Sequence, residues 1–183
     1  MDDLLTDEHK LIRDTARQFI SKNVKPIIED AFEKCEFHPE IIPGLAEIGA
    51  FGPMVPVEYG GMGLDQISYG LIMQEIERCD SGIRSLCSVQ GSLVMYPIWK
   101  YGSEEQKKKW LPQLAAGKKI GCFGLTEPDF GSNPSGMVTN FKDKGDHLLL
   151  NGAKLIGFTF LLMNCRAVSR INLCSSVSRS STR

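Results

Sequence analysis

Through the first two thirds of the chain, apolar residues recur every three to four positions, the repeat of a helix with one buried face. Leu11, Ile12, Ala16, Phe19, Ile20 and Val24 make the first such stripe. Thr6 opens it as an N-cap, and Asp7 and Glu8 fall in the first turn, where the helix dipole favours negative charge. Pro26 starts a second, short helix. Pro39 starts a third, which carries Ile41, Ile42, Leu45 and Ile48 and stops at Gly49. Residues 51–64, with three glycines after Tyr59, read as a loop. Asp65 caps a helix to about Cys79, and Asp80 or Ser81 restarts one that runs to about Tyr101. Ser103–Glu104–Glu105–Gln106 is a Ser-x-x-Gln capping box; its helix carries Trp110, Leu111 and Leu114 and ends before Gly117.

After Lys119 the period shortens to two. Ile120 to Thr126 is a short strand-forming run that Pro128 stops, and Met137, Thr139 and Phe141 alternate with polar neighbours. Lys144–Gly145–Asp146 turns, and His147 to Leu150 runs into Asn151–Gly152, a hairpin signal. The fold class is therefore mainly α: an all-α domain over residues 1–119, then the start of an antiparallel β domain over residues 120–154. From Arg166 the chain has six serines, four arginines and no acid, without visible periodicity, and residues 155–183 are expected to be irregular.

Composition narrows the classes. With 183 residues, 42% of them hydrophobic, the chain is long enough for one domain and part of another, and too apolar to be disordered. A net charge of −1 gives no reason to expect nucleic acid or an anionic membrane as partner. The longest apolar run, Leu155 to Met163, falls short of the roughly 20 residues a spanning helix needs. Asp2, Asp3, Asp7 and Glu8 stand where a signal peptide would be basic and then apolar, so a soluble globular protein is expected. Charge is uneven: all 22 acidic residues lie at or before Asp146, and the segment beyond it is purely basic. The six cysteines form no Cys-x-x-Cys pair and no metal-ligand spacing, and they read as isolated reduced thiols; no metal site is expected.

Three stretches carry candidate chemistry. Gly121–Cys122–Phe123–Gly124–Leu125–Thr126–Glu127–Pro128 ends a strand at a turn and is followed by Gly131–Ser132. Exposed amides and hydroxyls at such a place suit a planar heteroaromatic edge or a phosphate, although a plain turn reads the same way. In Glu77 to Ser88, Arg84 and Ser88 share one helix face and could converge on an anion, with Glu77 one heptad before Arg84 to orient its guanidinium. A surface salt bridge is the alternative there. Val57 to Gly63 reads as a backbone device.

In this order, these stretches resemble the acyl-CoA dehydrogenase family, from about Leu4 to Lys154. The carriers are the helical domain, the Glu58–Tyr59–Gly60–Gly61–Met62–Gly63 loop, the Tyr101–Gly102–Ser103–Glu104–Glu105–Gln106–Lys107 helix start, and Leu125–Thr126–Glu127–Pro128 followed by Gly131–Ser132. Within the family, Asp80 to Ser85, Ser88–Val89–Gln90 and Gly121 to Thr126 look most like glutaryl-CoA dehydrogenase. The resemblance implies a flavoenzyme with FAD that oxidises an acyl-CoA between its α and β carbons, a carboxylate base taking the α proton. It implies that Phe123, Gly124, Leu125 and Thr126 line the flavin, and that Gly131 and Ser132 contact cofactor and CoA. It implies also that Arg84, Ser85 and Ser88 hold the distal carboxylate of glutaryl-CoA, with Glu77 in the surrounding network. Electron-transfer flavoprotein as electron acceptor, a homotetramer, and a bacterial cytoplasmic or mitochondrial matrix location follow from the same resemblance.

The sequence departs from the family after Lys154. Asn151–Gly152–Ala153–Lys154 is followed by Leu155–Ile156–Gly157–Phe158–Thr159 in place of a Trp-Ile-Thr segment. Residues 155–183 are accordingly expected not to be native family sequence. The family's C-terminal helical bundle, which supplies the catalytic Glu, has no counterpart in the chain, so no catalytic base is nominated and the chain by itself is expected to be inactive. Glu127, ahead of a turn proline, is expected to be structural. Asn133 stands where the family usually has Asp. Two other readings stay open: an acyl-CoA dehydrogenase for another short or carboxylated acyl chain, and a non-catalytic helical binding or assembly module.

Overall fold

The computed structural model describes residues 2–145, 147–157 and 168–178. The chain divides after Cys122 into a helical unit and, from Phe123, a β unit.

The helical unit opens with α1 (Asp7–Phe19), whose N-cap Thr6 and N3 residue His9 form a reciprocal capping box. A π-helical segment, Ile20–Val24, carries the rod without a break into α2 (Lys25–Lys34). A second π segment, Val89–Met95, joins α5 (Ser81–Ser88) to α6 (Tyr96–Tyr101). Both π segments lie just ahead of a proline, Pro26 or Pro97, that sits in the first turn of the next helix. Proline has no N–H for the usual ladder, and the wider turn lets Lys25 N–H reach Ile20 C=O and Tyr96 N–H reach Gly91 C=O instead. Thus Pro26 begins α2, as its position predicts, but re-registers the rod rather than ending it.

Between these rods lie α3 (Ile41–Glu47) and α4 (Gln66–Glu77), the latter capped by the Asp65 side chain on Ser68 N–H at 2.8 Å. The unit ends with α7 (Glu104–Ala115), whose predicted Ser103/Gln106 capping box forms on both sides. Val24, Leu45, Phe51, Ile76, Met95 and Leu111 are fully buried and make the centre of the core. Leu11, counted in the first stripe, is instead exposed, and Trp110 lies half-buried at the surface with Lys109 and Lys119 over its ring.

Residues 51–64 are the predicted loop, with one short turn at Val57–Tyr59. Gly60 takes φ +86°, and a Cβ on Gly61 would lie 2.0 Å from the Val55 carbonyl oxygen, so both glycines are required by the backbone. The loop is tied to α7 by Tyr59, whose hydroxyl donates to Glu104 at 2.7 Å; this bond pushes the phenol's pKa up to about 12. Two buried polar side chains join other elements. Glu75 of α4, 3% exposed, accepts both arms of Arg17 of α1 at 2.9 and 3.0 Å. Gln90, fully buried in the second π segment, donates to Leu114 and Lys119 C=O at 2.9 Å each and accepts from Gly121 N–H at 2.8 Å.

The β unit is a three-stranded antiparallel sheet in the order β1 (Asn140–Asp143), β2 (His147–Gly157), β3 (Val168–Ser178). Three expectations are corrected here. Ile120 to Thr126 has no regular secondary structure and joins no ladder among the described residues; its one backbone–backbone bond there is from Leu155 N–H to Thr126 C=O at 2.9 Å. Asn151–Gly152 does not turn: it lies inside β2, Asn151 pairing with both Asn140 and Cys174. Gly152 serves close packing instead, since a Cβ there would fall 2.1 Å from Thr139 Oγ1, and the turn is at Lys144–Gly145, where Gly145 takes φ +94°. Finally, residues 155–157 complete β2 and 168–178 form β3, so the expected irregularity fails for those residues. The free edge of β2 offers a full row of ladder partners, and Ile171, Leu173 and Val177 keep a period of two beneath the Ser/Arg-rich composition. The rest of the expected irregular tail lies outside the described residues.

Replacing Gln90 by Leu strands two carbonyls and one amide, and we expect it to destabilise the helical unit by about 2–4 kcal/mol in chemical denaturation. Leu93→Ala, on the same segment but exposed, should stay within about 0.5 kcal/mol of wild type.

Candidate functional site

In the helical unit, the turn between α4 and α5 brings three predicted residues together. Asp80 ends that turn as the N-cap of α5, its carboxylate accepting Ile83 N–H at 2.7 Å. Glu77, the last residue of α4, then faces Ser81 and Arg84. One Glu77 oxygen accepts from the Ser81 hydroxyl at 2.6 Å, and the other accepts from Arg84 Nε. Arg84 Nη1 lies 3.4 Å from Ser88 Oγ, and the Ser88 hydroxyl donates to Ser85 C=O at 3.1 Å. Ser85 thus takes part through its carbonyl; its hydroxyl has no partner among the described residues. The Ser81 hydroxyl first, and Arg84 next, hold the Glu77 carboxyl below its ordinary range, so it is a carboxylate at neutral pH and aligns the guanidinium. Arg84 remains partly exposed, with Nη2 unengaged by the described residues. Ser81, which the sequence reading used only as a helix start, is the member of this cluster it missed.

An apolar cavity of about 540 Å³, lined by Val94, Ile98, Trp110, Leu114 and Ile120, lies elsewhere in the helical unit and includes none of these residues.

In the β unit, Phe123, Gly124, Leu125 and Thr126 lead, without regular secondary structure, into a turn closed by Glu127 and Phe130, whose amides and carbonyls bond each other at 3.1 and 3.2 Å. Pro128 fixes the turn, and it delivers Gly131 and Ser132 fully to the surface. Phe123 and Leu125 are 47% and 38% exposed, unusual for large apolar side chains beside a turn. The amides of residues 123–126 donate to nothing among the described residues. A Cβ added to Gly131 would touch nothing within 4 Å, so packing within the protein does not demand glycine there. Donors that no described residue engages, flanked by exposed apolar side chains and an unforced glycine, fit a flat, hydrogen-bonding heteroaromatic group such as a flavin edge.

Glu127 is structural, as expected, and its partner Lys154 is the residue whose role the sequence did not reveal. Glu127, 1% exposed, accepts from Val138 and Thr139 N–H at 2.7 and 3.0 Å and from Lys154 Nζ at 3.0 Å. Hydrogen bonding from Thr139, helped by the Val138 amide and Lys154, outweighs desolvation and lowers the Glu127 pKa to about 2. Only the drop of a lysine into an otherwise apolar strand run, Ala153–Lys154–Leu155, marks the site in the sequence.

Residues 6–118 match the family model for the acyl-CoA dehydrogenase N-terminal domain. The chain belongs to the acyl-CoA dehydrogenase family. A solved structure of glutaryl-CoA dehydrogenase from Mycobacterium smegmatis in complex with FADH2 superimposes with a TM-score of 0.79 at 48% identity, over 85% of this chain and 40% of that one. Among curated proteins, 3-(aryl)acrylate reductase of Clostridium sporogenes is 38% identical over 81% of this chain and 40% of its own length. Glutaryl-CoA dehydrogenase of Desulfococcus multivorans is 37% identical over 84% and 40% respectively. The chain therefore spans about 40% of the length of these acyl-CoA dehydrogenase relatives. Among the described residues no group of His, Cys, Asp or Glu is placed to hold a metal, and no helix is long and apolar enough to cross a membrane.

Acid should weaken both units of this acyl-CoA dehydrogenase-family chain. Asp65, bound first by Ser68 and then by His9, and Glu127 both have folded-state pKa values of about 2, below their ordinary values of 3.8 and 4.5. A depressed folded pKa adds stability above the unfolded value and loses it as pH falls through the folded one. The Tm should therefore decline between about pH 4.5 and 2, and Glu127→Gln should flatten that decline. A Tm unchanged across this window would contradict the assignment of both carboxylates as hydrogen-bonded in their ionised form.

Proposed function

We propose that these residues are the acyl-end and flavin-side portions of an FAD-dependent enzyme that removes hydrogen from the α and β carbons of an acyl-CoA, with glutaryl-CoA as substrate. The observation that carries the substrate is the Glu77–Arg84–Ser88 cluster. A partly buried guanidinium, already aligned by Glu77 and flanked by Ser88, presents its remaining Nη2 donors to a second carboxylate, and a charge-assisted pair of this kind is strong and directional. Acyl chains without a distal carboxylate give that group nothing to bind.

Family membership and the FADH2-bound M. smegmatis relative support FAD. Bound FAD supplies the acceptor for the β hydrogen, which leaves as hydride. Phe123 and Leu125 give apolar contact to its ring, and the amides of residues 123–126 with the Thr126 hydroxyl give hydrogen bonds to its edge. Gly131 leaves room for close approach, and the exposed Ser132 hydroxyl is available to cofactor and CoA. Reoxidation by an electron-transferring flavoprotein is part of the same proposal and rests on family membership alone. The similarity to 3-(aryl)acrylate reductase favours, as a second reading, a different acyl chain on the same scaffold.

In the FAD-loaded protein containing this chain, Arg84→Ala should weaken glutaryl-CoA binding at least about tenfold while leaving butyryl-CoA binding within about twofold, the asymmetry expected when one charged hydrogen-bond partner is lost. Equal effects on both ligands would favour the second reading.

A further inference from the structure

We propose that Glu127 and Lys154 are positioning residues: a buried ion pair that sets the backbone of Phe123–Thr126 in its flavin-accepting conformation before any cofactor binds. This rests on the assignment of that segment to FAD.

The pair does more than neutralise charge. Lys154 Nζ donates to Glu127 at 3.0 Å and to the carbonyl of Leu125 at 3.0 Å, and lies 3.1 Å from Met137 Sδ, so all three of its N–H groups have a partner. The next residue of β2, Leu155, donates its amide to Thr126 C=O at 2.9 Å. Two consecutive carbonyls of the candidate flavin strip are thus gripped by two consecutive residues of β2. Glu127 in turn holds the amides of Val138 and Thr139, immediately before β1. A carboxylate with three donors and an ammonium with three partners join three segments of the β unit that otherwise share few backbone bonds.

The consequence is directional. The described residues have no cis peptide bond, and in a planar trans peptide the C=O of one residue and the N–H of the next point in opposite directions. Turning Leu125 C=O toward Lys154 therefore aims Thr126 N–H away from Lys154, where no described residue accepts from it. A donor pre-aimed in this way needs no reordering when the flavin edge arrives. With an apolar residue at 154, Leu125 C=O is released and its peptide plane is free to rotate. Because Glu127 and Lys154 are 1% and 9% exposed, water cannot substitute readily for the lost partner.

The test uses the protein containing this chain, as for Arg84→Ala. Amide hydrogen exchange, Tm and FAD affinity (by flavin fluorescence) are compared for wild type, Lys154→Met and the double variant Glu127→Gln/Lys154→Met. Lys154→Met should lower Tm, speed Leu155 amide exchange about tenfold and weaken FAD binding at least about tenfold, with the Ile76 and Leu111 amides of the helical unit within about twofold of wild type. The double variant removes the stranded charge and should recover most of the Tm, yet leave Leu155 exchange fast and FAD binding weak. Recovery of exchange protection and FAD affinity along with Tm would reduce the pair to a purely structural role and overturn the proposal. So would unchanged Leu155 exchange in Lys154→Met. If wild type binds no FAD while Leu155 exchange responds as expected, the flavin assignment fails and the grip on Leu125 stands.

Discussion

A carboxylate withdrawn from water must bring its countercharge with it, and each unit of this chain is assembled around one such group. In the helical unit it is Glu75, met by the fork of Arg17 from a helix 58 residues earlier. In the β unit it is Glu127, met by Lys154 and two backbone amides. Hydrophobic burial supplies most of the stability of the helical unit, but it is indifferent to small slides of one helix on another. The two ion pairs are not, because either partner left alone in the interior is costly. They fix which turn of α1 meets α4, and which face of β2 meets the strip before the Glu127–Phe130 turn.

The candidate chemistry sits beside these anchors rather than on them. Glu77 lies two residues beyond Glu75 on α4, so the helix that Arg17 holds also presents the carboxylate that aligns Arg84. Leu125 and Thr126 lie directly before Glu127, so the strip proposed to meet the flavin is held by the same network. In both places the exposed groups proposed to meet a ligand are those left over after the buried ones have been satisfied. Exposed Phe123, free amides and an unforced Gly131 are poor choices for a folded chain on its own and sensible ones for a chain that receives a flat cofactor.

Much of this was legible in the sequence because it is local. Capping residues Thr6, Asp65, Asp80 and Ser103 mark their helices, since a side chain bonding an amide two or three residues away depends on nothing distant. The Glu77–Arg84–Ser88 cluster was legible for the same reason, being set by helix periodicity across one short turn. What escaped depends on partners far along the chain. Asn151–Gly152 has the composition of a tight turn, but Thr139 and two flanking strands claim it for the interior of β2. Ile120 to Thr126 has the composition of a strand but finds no neighbour among the described residues to complete a ladder. The π segments could not be read either, since periodicity shows that a helix continues past Pro26 or stops there, not that it widens. Lys154 escaped because a lone lysine reads as solvent-facing until Glu127 is seen beneath it. Val168 to Ser178 escaped because serines and arginines hid an alternation that becomes a strand only once β2 offers an edge.

Under the proposed function, Arg84 meets a ligand carboxylate and residues 123–126 meet a flavin. The most direct measurement is a crystal structure of the protein containing this chain, loaded with FAD and glutaryl-CoA. The distal carboxylate should lie within hydrogen-bonding distance of Arg84 and Ser88, and the flavin edge on the amides of Phe123–Thr126. A carboxylate lying in solvent while Glu77 alone occupies Arg84, or a flavin bound away from that strip, would contradict it.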